Sequence, residues 1–149
     1  MSLQFRAMSS TRHHSDPAID QVLSYWFNED ERYPNPVIKW YDGGQKVDQE
    51  IRSKFSELIL SARSKSLDSW TETANGTLAL LLLLDQFPRN AYRGKPDACA
   101  SETLALETAN LAIAKGQDLQ VPYLHQHFFL YALPTLRDFT WSNCGCKFV

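Results

Sequence analysis

A chain of 149 residues, 44% hydrophobic and 21% charged, has the make-up of one ordinary globular domain, long enough to bury roughly two thirds of the surface its unfolded form exposes. A formal net charge of -2, with no Lys/Arg cluster interleaved with aromatics, argues against a nucleic-acid partner. The longest apolar run, Leu78 to Leu84, falls far short of the ~20 residues that span a bilayer, so no membrane partner is expected either.

Met1 to Ser15 is polar, carries Arg6 and Arg12 and lacks an apolar segment. It reads as a disordered tail rather than a secretory signal, with a mitochondrial presequence as the weaker alternative. Asp16-Pro17 is a helix start, an N-cap acid followed by proline at the first helical position. Ile19, Val22, Leu23, Trp26 and Phe27 then recur at helical spacing. Asn28 to Pro36 reads as a polar loop, with Glu29-Asp30-Glu31 solvated, and Gly43-Gly44 as a breaker. From Lys46 to about Ser66, one stripe holds Val47, Ile51, Phe55, Leu58, Ile59 and Ala62. Asp68 or Thr71 is a candidate cap for the helix that carries the leucine run.

That run is apolar all round, which predicts a central, buried helix. Pro88 is expected to stop it, because its ring clashes with the Leu84 carbonyl and biases Phe87 away from helical angles. A long helix follows from about Asp97 to Lys115, with Ala100, Leu104, Ala105, Leu111 and Ala112 inward and Gly116 as a left-handed C-cap. The last helix runs from about Pro122 to Leu133 and ends at Pro134, with Tyr123, Leu124, His127, Phe128, Leu130 and Tyr131 as its apolar residues. With no strand-type alternation, five main helices imply an all-α stack or bundle over residues 16–134, followed by an irregular or diverged tail over 135–149.

The chemistry gathers after the leucine run, in Asp85-Gln86-Phe87-Pro88-Arg89-Asn90-Ala91-Tyr92-Arg93-Gly94. A carboxylate in the last turn of a helix faces the negative end of the macrodipole, which disfavours it by roughly 0.3–1 kcal/mol. Asp85 therefore calls for a cation, and a guanidinium from Arg89 or Arg93 can supply two parallel hydrogen bonds. The remaining arginine, with Gln86 and Asn90, could hold an anionic ligand. The bland alternative is a turn locked by ion pairs, with Phe87 and Tyr92 plugging the core.

Other candidates are thin. His125 and His127 are two apart on a helix and point in different directions. Cys144 and Cys146 have poor spacing for zinc and no second pair, so no metal is expected, and no nucleotide or cofactor motif is present. Cys99 reads as a small hydrophobe, and three cysteines without a signal suggest a reducing, cytoplasmic setting.

Tyr25-Trp26-Phe27, Trp40, the stripe through Ile51 and Phe55, and above all Leu82 to Gly94 resemble the bacterial and fungal family named domain of unknown function 924, over about Ile19 to Pro134. The resemblance implies antiparallel helix hairpins stacked as a tetratricopeptide-like array, and it gives weight to Asp85, Gln86, Arg89, Asn90 and Arg93. It implies no reaction. Relatives of this family usually carry an Arg-Phe-Leu-Tyr-Leu-Pro-Phe-Met-His-Ser-Glu type segment in the last matching helix. Here His127-Phe128-Phe129-Leu130-Tyr131-Ala132-Leu133-Pro134 stands instead, as in a truncated or diverged member.

Two functions follow as expectations. One is a module that binds an anionic small molecule or a protein segment through Gln86, Arg89, Asn90 and Arg93. The other is a cofactor-independent enzyme acting on a small organic acid, with Asp85 or His127 transferring protons while Arg89 and Arg93 bind the anion. If further helices normally cover Phe128, Leu130 and Tyr131, that stripe is exposed here and a homodimer through the last helix is expected.

Overall fold

The computed structural model describes residues 16–28, 32 and 34–132. Among them every regular element is helical: α1 (Pro17–Phe27), α2 (Pro36–Asp42), α3 (Gly44–Arg63), α4 (Ala74–Leu81), a π turn (Leu82–Gln86), α5 (Phe87–Ala91), α6 (Glu102–Ala114) and α7 (Tyr123–Tyr131). Short 3-10 turns lie at Asp68–Glu72, Pro96–Cys99 and Gln117–Gln120. The all-α class is as the sequence implies. The expectations for the N-terminal tail, for Glu29-Asp30-Glu31 and for the segment after Ala132 fall outside the described residues.

Asp16 caps α1 as expected, accepting from the Ala18 backbone N–H at 2.9 Å with Pro17 behind it. The same signal, Asn35 followed by Pro36, starts α2: the Asn35 side chain accepts from the Val37 N–H at 2.9 Å. Two prolines made that segment read as loop, although one of them is a helix starter. Gly43-Gly44 is a joint between helices rather than a break. A Cβ at Gly43 would fall 2.4 Å from Val47 Cγ2, so α2 and α3 approach there as only glycine allows. The cap of α4 is neither Asp68 nor Thr71 but Thr73, whose hydroxyl accepts from the Gly76 N–H at 3.0 Å. Gly116, at φ 71°, terminates α6 in the left-handed form, but α6 itself begins only at Glu102.

The leucine run is central. Every residue from Gly76 to Ala91 is buried. α4 packs against α1, α6 and α7, while α3 packs against the π turn and α5. The α3 stripe is buried at Val47, Ile51, Phe55, Ile59 and Ala62. Two faces differ from expectation. On α6 the inward residues are Ala105, Thr108, Ala109 and Ala112, whereas Leu111 is 63% exposed. On α7, Phe128, Phe129 and Ala132 turn inward. Phe128 is therefore not part of an uncovered stripe: its ring meets Trp40 edge-on at 5.0 Å and Trp26 at 6.1 Å. Cys99, read from the sequence as a small hydrophobe, is disulfide-bonded.

Pro88 does not stop the central helix. The chain passes through the π turn and continues as α5, with Phe87 in helical geometry (φ -64°, ψ -40°). The bulge shifts the ladder by one residue, so the Phe87 N–H bonds to the Leu82 carbonyl, and it does so just where the proline ring would press on the carbonyl of Leu84. Pro88 offers that carbonyl no N–H, and Ser101 Oγ donates to it instead at 2.7 Å. Ser101 is buried and accepts in turn from Arg63 Nε at 3.2 Å. Ser101→Ala is therefore expected to cost about 1–2 kcal/mol, because a buried acceptor loses its donor. Urea unfolding measures it, and an unchanged midpoint would show that the Leu84 carbonyl needs no side-chain donor.

Candidate functional site

The central helix places Asp85, Gln86, Arg89 and Asn90 on consecutive turns, all 4–9% exposed. Among the described residues their hydrogen bonds fall into two networks. In the first, Arg89 Nη2 donates to Glu102 Oε1 of α6 at 2.5 Å and, more weakly, to Asp85 Oδ1 at 3.3 Å. Arg89 therefore lies between two carboxylates and is held mainly by the one the sequence did not suggest. Asp85 is not at a helix end, since the π turn carries the helix onward, so the dipole penalty expected there does not arise.

The second network reaches α3. Gln86 Nε2 donates to Asn90 Oδ1 at 2.9 Å, and Asn90 Nδ2 donates to Asp48 Oδ1 at 2.9 Å. Arg93 grips the same carboxylate with both arms, Nε to Oδ2 at 2.7 Å and Nη2 to Oδ1 at 3.1 Å. The expectation that one arginine is left over by Asp85 is corrected: Arg93 belongs to Asp48. A signal for Asp48 existed, because it stands three residues before Ile51 on the buried stripe of α3, where a carboxylate needs a partner.

Beside Asp48 and Arg93 lies a recess of about 330 Å³, lined also by Gln45, Gln49 and Arg52. Arg52 is exposed, and its Nε donates to the Ala91 carbonyl at 2.8 Å. The site is thus electrically two-sided. Among the described residues, two carboxylates bond to Arg89 at one end, while at the other Arg93 bonds to Asp48 and Arg52 lines the same recess.

The sequence matches, over residues 22–138, the family described as bacterial protein of unknown function, DUF924. The chain belongs to this family. A solved structure, that of a protein of unknown function from Agrobacterium tumefaciens, superposes with a TM-score of 0.70 at 33% identity, covering 78% of this chain and 62% of that one. The chain thus spans less than two thirds of that protein's length. No curated protein matches.

The segment that carries the DUF924 resemblance is the same one that builds both networks. His127 is exposed on α7, with its ring edge-on to Phe128 at 6.1 Å, and does not turn inward as its place among the apolar residues of the last helix had suggested. The last helix is apolar at most positions, so periodicity could not choose its inward face. Among the described residues no group of three or more His, Cys, Asp or Glu could hold a metal ion, and no helix is long and apolar enough to cross a membrane.

His125, half-buried, stacks on Phe27 of α1 at 3.7 Å, and burial pushes its imidazole below the usual 6.5; His127, exposed overall but partly desolvated, shifts the same way. Above the unfolded value both states are neutral and the shift costs nothing. As pH falls through it, the unfolded chain takes up protons first, so stability is lost. Glu50 has the same sign lower down: the bond from Arg32 holds its carboxyl below the usual 4.5. The melting temperature should therefore fall between about pH 7.5 and about pH 5.5, and His125→Phe should flatten the slope. Calorimetry across that window checks it, and a flat profile in the parent protein would contradict it.

Proposed function

We propose that this protein is a ligand-binding helical module, built on tetratricopeptide-like hairpins, that takes up a small carboxylate- or phosphate-bearing anion in the recess between α3 and the end of α5. The observation that carries this reading is Arg52. Its Nε is anchored on the Ala91 carbonyl, and its terminal nitrogens have no protein acceptor among the described residues. Beside it Arg93 is already fixed by Asp48, so the second guanidinium is ordered before any ligand arrives. Among the described residues, Arg52 and Arg93 against Asp48 leave this end one positive charge in excess, whereas Asp85 and Glu102 both bond to Arg89. An anion therefore belongs at the Arg52 end of the site and not at Arg89, where the sequence had placed it equally.

Proton transfer at Asp85 or His127 draws no support from this geometry. Asp85 Oδ1 is occupied by Arg89, and His127 is exposed on α7 against Phe128.

Calorimetric titration with inorganic phosphate, succinate and citrate tests the proposal. Arg52→Ala, an exposed change that should leave the fold intact, is expected to weaken the binding by about tenfold, the loss of one charge-assisted bond. Equal affinity in the variant, or no saturable binding by any of the three anions, would overturn it. Arg89→Ala is the poorer probe, because it strands two carboxylates and confuses folding with binding.

A further inference from the structure

A second cavity, of about 220 Å³, lies on another side of the molecule, where the end of α3 and the 3-10 turn at Asp68–Glu72 face the C-terminal half of α6. Leu104, Leu111 and Ala112 form an apolar wall, and the buried Thr77 and Gln117 lie at its base. Thr77 Oγ1 stands 2.8 Å from Gln117 Oε1 and 3.0 Å from the Thr73 carbonyl, and Gln117 Nε2 donates to the Thr71 carbonyl at 2.9 Å. One hydroxyl hydrogen cannot serve two acceptors, and the amide nitrogen has two hydrogens. The Thr73 carbonyl already accepts from the Thr77 N–H at 2.9 Å, so the hydroxyl hydrogen goes to Gln117, and what the floor keeps in reserve is one donor, the second hydrogen of the Gln117 amide.

The rim carries Lys65, Asp68, Glu107 and Lys115, all exposed. None of the four is ion-paired among the described residues. Single exposed charges are ordinary. Two of each sign around one recess, with a spare amide donor beneath them, are complementary to a ligand that itself bears both signs.

Lys65 adds an independent observation. α3 ends in a Schellman motif: the Lys65 N–H reaches the Ala62 carbonyl at 3.1 Å and the Ser66 N–H reaches the Ser61 carbonyl at 3.0 Å. The residue between these turns sits at φ 63°, the one non-glycine among the described residues with positive φ. Glycine is the favoured residue there, and a lysine holds the place at a conformational cost. Backbone strain at a cavity rim points to a use for the side chain.

We propose that this cavity binds a free α-amino acid, the lysines taking the carboxylate, Asp68 and Glu107 the ammonium, and Thr77 with Gln117 a polar side chain. The volume lies below the ~300 Å³ at which pockets for drug-sized ligands begin, which fits a ligand of this size. This site is separate from the anion recess and does not depend on it.

The test is an amide NMR titration of the full chain with the free L-amino acids one at a time, together with the N-acetyl and carboxamide forms of any that bind. At least one should give saturable shifts at Lys65, Thr77 and Gln117. Its blocked forms should bind at least about tenfold more weakly. Lys65→Gly should melt no lower than the parent protein, since glycine suits the left-handed position, yet lose that binding by a similar factor, while Arg52→Ala leaves it unchanged. No shifts with any amino acid, equal binding of the blocked forms, or binding retained in both Lys65→Gly and Lys115→Met would overturn the proposal.

Discussion

Phe87→Ala is expected to cost about 3–5 kcal/mol of stability, the range for emptying a fully buried phenylalanine site. The ring is wholly inaccessible, at the junction of the π turn and α5. It meets Phe55 of α3 at 4.9 Å, Trp26 of α1 at 5.4 Å and Tyr25 of α1 at 6.1 Å. It is therefore the side chain through which the central helix holds two others at once. These neighbours are large and rigid and come from two separate helices, so the void cannot collapse without moving a helix, which places the cost toward the upper part of the range. Phe87→Leu refills much of the volume and should cost less than half as much. The measurement is urea unfolding of both variants: the midpoint should fall with the slope unchanged. A loss under about 1 kcal/mol for the alanine variant would mean that the aromatic cluster does not unite these helices.

How far the sequence revealed this arrangement depends on how local each cause is. The central helix was readable because an apolar run with no polar face has only one place to go, and Asp16-Pro17 and Gly116 were readable because caps act on their own neighbours. The π turn was not. Pro88 marks a conflict with the helical ladder, but whether the chain ends there or bulges depends on a donor for the Leu84 carbonyl, and that donor, Ser101, comes from outside the helix. The site shows the same division. The segment Asp85 to Arg93 announced itself as a charged cluster, yet its pairing was set by Glu102 on α6 and Asp48 on α3. Of these, Asp48 could have been found, as a carboxylate on an apolar stripe. Glu102 follows an ordinary helix start and carries no such mark. Arg52 lies on the exposed side of α3, and only its closeness to the Ala91 carbonyl makes it part of a recess.

Asp48→Ala tests that long-range pairing most directly. The side chain is 8% exposed and accepts three hydrogen bonds, one from Asn90 and two from Arg93. Removing one member of a buried pair costs about 3–5 kcal/mol when the partner is stranded away from water. Here the Arg93 side chain is 43% exposed and can rehydrate, whereas Asn90 is only 4% exposed and cannot. The expected loss is accordingly about 2–3 kcal/mol, most of it from the buried amide and the broken bidentate grip. Arg93→Ala should also destabilise, since it leaves a buried carboxylate with one neutral donor. The double variant should be less damaged than the two losses summed, by about 1–2 kcal/mol, because each single change has already broken the same bonds. Additive losses in chemical unfolding would mean that Asp48 and Arg93 are not a pair. The same variant bears on function. With Asp48 gone, Arg93 loses its bidentate anchor at the recess, so phosphate or citrate should bind more weakly even though Arg52 is untouched and a negative charge has been removed. Coulomb attraction alone predicts the opposite sign, tighter binding from a more positive recess, so the direction of the change separates a preorganised site from a merely basic surface.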